Sequence, residues 1–264
     1  MEKGLFNKFI RSFSLTDQMP LLFVGHGSPM NAIEENQFTR GWRETTDSIP
    51  KPNAILCISA HWETRGTWVT AMENPRTIHD FGGFPGELYN VSYPAPGNPF
   101  LAGEVQKTVR KTDVRLDDSW GLDHGCWSVI KHMYPDADIP VIQMSLDYSK
   151  SPEQHFELAG ELASLRNRGV LIIGSGNMVH NLGMIAWDKV DLPEDGYDWA
   201  LEASAKMKSI ILSGDYKPLI DFRFQGRAFD LAIPTSEHFL PLIYILSLKQ
   251  ARGVNIVFCR GNHA

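Results

Sequence analysis

The chain has 264 residues, 43% of them hydrophobic and 21% charged, with a formal net charge of -6 and three cysteines. A chain of this length can bury roughly three quarters of its unfolded surface, and ordinary globular composition excludes a disordered polymer. The acidic balance, without any Lys/Arg cluster, excludes a surface that tracks nucleic-acid phosphates, and no run approaches the roughly 18 apolar residues of a membrane span.

Cys57, Cys126 and Cys259 include no C-x-x-C pair, so no disulfide framework is expected and a reducing cytoplasm fits. Cys57, inside an apolar run, is expected to pack as a small hydrophobe. Met1 to Gln18 carries Phe6, Phe9, Ile10 and Phe13 at helical spacing, interrupted by Lys8 and Arg11. That pattern predicts a short amphipathic extension over 1–18 and lacks the apolar core of a signal peptide.

The run Leu21-Leu22-Phe23-Val24 reads as a buried strand that stops at Gly25-His26-Gly27-Ser28-Pro29, which places His26 at the strand's carboxyl end. Ligands bind at that end of open α/β sheets. Phe38 to Ser48 predicts a helix, and Ala54 to Ser59 a second strand leading into His61. Strand, helix and strand in this order predict a parallel βαβ unit that makes the ends carrying His26 and His61 neighbours.

Trp68 to Ala71 predicts a further strand. The Gly/Pro/aromatic stretch 74–99 follows, with Ile78-His79-Asp80-Phe81-Gly82-Gly83-Phe84-Pro85 inside it. An irregular stretch this long in a compact domain is commonly functional, and two readings stay open: a Pro/Gly-rich surface excursion, or a cap over a pocket with Phe81 and Phe84 as its walls. After a helix over 98–111, Asp123 stands as a helix N-cap beside His124, and Gly125 repeats the His-Gly pair of His26-Gly27. Ile139 to Ser145 predicts a strand, Pro152 to Arg168 a helix stopped by Gly169, and Val170 to Ile173 a strand running into Gly174-Ser175-Gly176-Asn177-Met178-Val179-His180.

Position 179 is valine, so no G-x-G-x-x-G nucleotide loop is present. A helix over 196–213 ends at Gly214, and Thr235 or Ser236 is placed to cap a buried helix that has Glu237 and His238 at its start. Adjacent helical residues diverge by about 100°, so one of this pair reaches a metal, or neither does. The whole predicts one α/β domain over 1–264.

Histidines at the ends of buried elements, drawn from distant parts of the chain, suit a metal site. No H-E-x-x-H occurs, and Ser28 and Ser175 lack a G-x-S-x-G elbow, which disfavours a zincin peptidase and a serine hydrolase. A non-catalytic metal-binding or interaction protein and a zinc-dependent hydrolase stay open as alternatives.

Gly25-His26-Gly27-Ser28-Pro29-Met30, Ser59-Ala60-His61-Trp62, His79 to Pro85, Tyr93-Pro94-Ala95-Pro96-Gly97, Trp120 to Gly125, Gly176 to Asn181 and Glu237 to Leu242 stand in this order. Over about residues 19 to 248 the chain thereby resembles the class III extradiol ring-cleavage dioxygenases, in particular their 4,5-DOPA dioxygenase branch.

The resemblance implies a single α/β domain with a central, mostly parallel sheet of the protocatechuate 4,5-dioxygenase β-subunit type. It implies an oxidoreductase that opens a catechol such as DOPA with both atoms of O2 at a mononuclear metal, Fe2+ for activity, with Zn2+ able to occupy the site. Carried over by residue, His26, His61 and His238 match metal ligands, with Glu237 as the alternative to His238. His180 matches an acid/base position that can complete a four-histidine zinc site, and His124 matches the other acid/base histidine. The expected partners are a small catechol and O2, without nucleic acid or membrane, for a cytoplasmic monomer or small homo-oligomer.

Overall fold

The computed structural model describes residues 16–185, 196–252 and 256–259, so most of the 1–18 extension lies outside the described residues. Seven strands form one sheet: β1 (Leu21–Gly25), β2 (Ala54–Thr64), β3 (Thr67–Thr70), β4 (Val114–Asp117), β5 (Val141–Asp147), β6 (Val170–Gly176) and β7 (Ile256–Cys259), in the spatial order β4-β3-β5-β2-β6-β1-β7. Strands β5, β2, β6, β1 and β7 are mutually parallel, and β3 meets β5 antiparallel and carries β4 with it. The sheet is therefore mostly parallel, with both faces covered.

The longer helices are α1 (Gln37–Asp47), α2 (Pro99–Thr108), α3 (His124–Met133), α4 (Pro152–Glu161), α5 (Asp198–Ser213) and α6 (Leu240–Arg252). Side chains alternate across the central strands, as a pleated strand requires. Leu22, Val24, Ile55, Cys57, Leu171 and Ile173 face one way, against Trp42 of α1 and Trp127 and Ile130 of α3. Leu21, Phe23, Leu56, Ile58, Val170 and Ile172 face the other way, against Leu158 of α4 and Leu242, Ile245 and Leu246 of α6. Two buried faces explain why these strands read as continuous apolar runs rather than alternating ones.

Caps set the helix starts. The Asn36 side chain accepts from the Phe38 and Thr39 amides, Ser151 accepts from the Gln154 amide, and Asp123 accepts from the Cys126 amide. The stretch predicted as a helix over Pro152 to Arg168 is α-helical to Glu161 and tightens to a 3-10 turn from Leu162 to Arg168.

The structure corrects two expectations that bear on the site. β1 and β2 are parallel but not adjacent, because β6 is inserted between them. β2 also continues past Ser59 through His61 to Thr64, where it rejoins β5 after a register shift between Ile58 and Glu63. His61 is thus part of the strand, on a stretch whose pairing is broken.

Candidate metal centre

Sheet register alone sets His26 and His61 at one height. Ser175 of β6 pairs with Val24 on one side and with Ser59 on the other, and each histidine lies two residues further along its strand. Two residues on is the same face of a pleat, the face covered by α3. The two strands stand about 9.6 Å apart, two strand spacings, and the imidazoles close that gap to an Nε2 to Nε2 distance of 3.0 Å.

Three further histidines converge on this pair. His124, the first residue of α3, has its ring centroid 3.9 Å from that of His61 and 5.6 Å from that of His26. His238, in the turn before α6, lies 4.9 Å from His61 and 5.3 Å from His26. His180, from the loop after β6, stacks on His238 at 3.5 Å with 10° between the planes. Ring nitrogens of His26, His61 and His124 lie within 4.8 Å of one another, as do the ligand atoms of His180, Glu237 and His238. All five histidines singled out from the sequence therefore meet, in two adjacent triads, the second completed by Glu237.

Close approach of the backbone builds this cluster. A Cβ on Gly176 would sit 2.2 Å from the His238 carbonyl oxygen, the same oxygen that accepts from the Asn177 amide at 2.9 Å. A Cβ on Gly125 would meet Ser59 Oγ at 2.6 Å and His61 Cδ2 at 2.9 Å. Only glycine at these positions lets the 236–240 turn and the start of α3 lie against the strand ends. Gly176→Ala is expected to displace His238, weaken Zn(II) binding at least tenfold and cost about 1–3 kcal/mol of stability. Chelator competition and thermal unfolding check this, and an unchanged affinity would show that this contact does not hold the ligand.

The outer partners settle which nitrogen each ring offers. The Ser175 hydroxyl donates its one hydrogen to the Gly125 carbonyl at 2.6 Å, so it can only accept from His26 Nδ1, 3.0 Å away. His26 then carries its proton on Nδ1 and its lone pair on Nε2. The Asp80 carboxylate accepts from His124 Nδ1 at 2.9 Å and faces His61 Nδ1 at 3.5 Å. His238 Nδ1 faces Glu237 Oε1 at 3.2 Å, and Thr235 Oγ1 donates to that same oxygen at 2.7 Å. The His180 ring makes no hydrogen bond among the described residues.

Burial, reinforced by the neighbouring imidazoles, holds His26 and His61 well below the ordinary histidine pKa, so both are neutral at neutral pH. Burial and His238 likewise lower His180 to about 4. Burial would raise Glu237, but hydrogen bonds from His238 and Thr235 outweigh it and bring the carboxyl to about 2. His26, His61 and His180 are thus neutral imidazoles, with carboxylates standing behind His61 and His238.

Two neutral rings aiming lone pairs at each other across 3.0 Å repel unless a cation or a proton lies between them. Metal–nitrogen bonds of about 2.0–2.1 Å, met at 90–110°, put two ligand nitrogens roughly 2.8–3.4 Å apart. The donor set therefore fits a divalent metal.

His132 and His155 stand apart. His132 Nε2 bonds the Asn31 carbonyl, and His155 lies between the Tyr244 hydroxyl and the Asp147 carbonyl. In the 74–99 stretch, the Phe81 ring stands edge-on to His124 at 5.6 Å and packs on Phe84 and Tyr89, whereas His79 bonds the Val91 carbonyl and does not enter the cluster. Asp80, Glu237 and Ser175 hold the rings. Of these only Glu237 was singled out from the sequence, as an alternative ligand. The signal for Asp80 was its place beside His79 in a Gly-rich aromatic loop.

A histidine cluster that fits a divalent metal, at the carboxyl edge of a covered, mostly parallel sheet, has the make-up of a metal-dependent α/β enzyme. Residues 19–201 match the family described as the catalytic LigB subunit of aromatic ring-opening dioxygenase, and the chain belongs to that family. It is 47% identical over 233 residues to the 4,5-DOPA dioxygenase extradiol of Escherichia coli K12, covering 87% of this chain and 84% of the relative. It is 39% identical to the protein of the same name from Beta vulgaris, covering 83% of each. A crystal structure of an uncharacterized Escherichia coli K12 protein superposes with a TM-score of 0.74 at 41% identity, covering 88% of this chain and 89% of that one.

Proposed function

We propose that this extradiol dioxygenase opens the ring of a small catechol beside its two hydroxyls at a mononuclear iron(II) held by His26, His61 and His238. The ligand set is the one the family resemblance implies, and what supports it in the site is that each of these three rings has its Nδ1 turned to an outer partner, Ser175, Asp80 or Glu237, which leaves Nε2 for the metal, a feature His124 shares. When bound, iron(II) with open positions supplies the redox centre that brings a catecholate and dioxygen together.

His124 and His180 move the protons in this reading. His124 has its Nδ1 bound to Asp80, so its Nε2 is free to accept a catechol proton. His180, stacked on His238 and without a ring hydrogen bond among the described residues, can turn toward substrate and return a proton to the opened product. Phe81 offers the catechol ring an apolar edge.

The relatives' names support DOPA as the catechol. Zinc, held in addition by His180, would close the site and has no redox chemistry to offer. Among the described residues no helix is long and apolar enough to cross a membrane. The buried free thiols of Cys57 and Cys126 suit a reducing compartment, and we place the protein in the cytoplasm.

Anaerobic loading with Fe(II), followed by oxygen uptake with L-DOPA and with simpler catechols, tests the function. Expected are one O2 per catechol and a ring-opened chromophore, with the Zn(II)-loaded protein inert. Absence of ring-opened product from every catechol would overturn the reading, and turnover by the zinc form alone would point to a hydrolase.

A further inference from the structure

We propose that Asp80 is a positioning residue that joins the metal centre to the 74–99 stretch, so that docking of this stretch and filling of the metal site are one linked equilibrium. The proposal rests on the reading of His26, His61 and His238 as ligands.

The Asp80 carboxylate clamps His124 twice, Oδ1 accepting from the backbone amide at 2.8 Å and Oδ2 from Nδ1 at 2.9 Å. The same Oδ2 faces His61 Nδ1 at 3.5 Å. A carboxylate oxygen accepts, so this one group holds the His124 proton on Nδ1 and favours the same tautomer in His61, whose Nδ1 it faces, which turns both Nε2 atoms to the site. A carboxylate behind a ligating imidazole also raises that ligand's basicity.

Asp80 belongs to no strand or helix, and its place is set by a short zipper to the segment before α3. The Ile78 amide donates to the Leu122 carbonyl at 2.7 Å and the Leu122 amide to the Arg76 carbonyl at 2.9 Å, while Trp127 Nε1 donates to the Ile78 carbonyl at 2.8 Å. A Cβ on Gly121 would meet the Arg76 carbonyl oxygen at 2.4 Å. The outer part of the stretch, Gly82-Gly83 and Glu87, is exposed. Asp80 is held against the histidines by this zipper, by Arg76 Nε donating to the Trp120 carbonyl at 2.9 Å and by its neighbour Phe81 packing on Trp127. By linkage, a metal that binds better when Asp80 is in place must stabilise the docked stretch by the same factor.

The test is Zn(II) affinity by competition with a chromophoric chelator, together with hydrogen exchange of the peptides covering 76–93 and 119–127, with and without Zn(II). In the wild-type protein, Zn(II) is expected to slow exchange in both peptides, a measurement that needs no variant. In Asp80→Asn one of the two oxygens becomes an NH2 that faces another donor, either the His124 amide or the Nδ1 atoms, so Zn(II) affinity is expected to fall about 10–100-fold, and Zn(II) should no longer slow exchange over 76–93. Asp80→Glu, which keeps the carboxylate, should recover part of the affinity. Wild-type exchange indifferent to Zn(II), or Asp80→Asn binding within twofold of wild type, would overturn the proposal. His26→Ala separates the two readings: if it loses Zn(II) while Asp80→Asn keeps it, the linkage fails alone, and if both keep it, the ligand assignment fails.

Discussion

His26→Ala is expected to yield a folded protein with no stoichiometric metal and no ring-opening activity. The imidazole is 1% exposed and stands at the end of β1, where its Nε2 lies 3.0 Å from that of His61. Removing it deletes one of three proposed ligands. That should cost more than the roughly 10–100-fold that loss of an outer partner costs. The fold should survive, because β1 keeps its pairing to β6 and β7 and its apolar residues Leu21 to Val24 stay buried. Ser175 keeps its bond to the Gly125 carbonyl. Metal analysis after gel filtration, chelator competition and far-UV circular dichroism check the three parts separately. Protons compete for the same lone pairs, so affinity falls as pH drops through the pKa values of His26 and His61. Both are held well below the ordinary histidine value by burial, so the wild-type site should hold its metal through neutral and mildly acidic pH. Retention of one metal per chain in His26→Ala would remove this residue from the ligand set.

The apolar runs ending at His26, at Ser59 and at Ile173 gave away the central strands, because a strand buried on both faces must be apolar at every position. The same logic hid the rest of β2. Its polar residues from Ser59 to Thr64 read as the end of a strand, yet the backbone goes on to pair Glu63 and Thr64 with β5. Hydropathy reports burial, and backbone pairing at a site edge proceeds without it. The insertion of β6 between β1 and β2 was equally invisible, since Val170 to Ile173 says nothing about its neighbours. The start of α6 moved for a local reason. Thr235 Oγ1 bonds the Glu237 carboxylate rather than capping a helix, and the 236–240 turn places His238 before the helix begins at Leu240.

The five histidines could be read from the sequence because each stands where an apolar run meets polar or glycine-rich sequence, His26 and His180 after strands, His61 within the polar end of β2, and His124 and His238 before helices. Ser175, Asp80 and Gly125 could not, for their roles exist only once β6, the 74–99 stretch and α3 are brought together. Ser175 stands in a small-residue turn like any other, and only its bond to the Gly125 carbonyl makes it an acceptor for His26. Sequence thus carried the groups that would touch metal and substrate, and tertiary contacts carried the groups that orient them.

His124→Ala is expected to lower kcat about 10²–10⁴-fold, the usual worth of a positioned acid/base group, while the iron content stays at one per chain. Proximity alone would favour His124 as a ligand, because it, and not His238, forms a triad with His26 and His61. Three observations favour a proton-transfer role nonetheless. His124 begins α3 with its backbone amide and its Nδ1 both tied to Asp80, so its ring is fixed from behind and its Nε2 faces the cluster. Its ring edge meets Phe81, the apolar wall proposed for the catechol. His238 lies nearly equidistant from His26 and His61 and has its own carboxylate behind it, so the proposed three-ligand site would be complete without His124. Loss of the His124 ring leaves Asp80 facing His61 alone, and metal affinity should change by no more than a few-fold. Paired metal analysis of His124→Ala and His238→Ala, with steady-state oxygen uptake under saturating catechol, separates the roles. Metal lost from His238→Ala and kept in His124→Ala, with kcat rather than KM carrying the loss in the latter, is the expected pattern. The reverse distribution of metal would make His124 the third ligand and leave the catechol proton to His180.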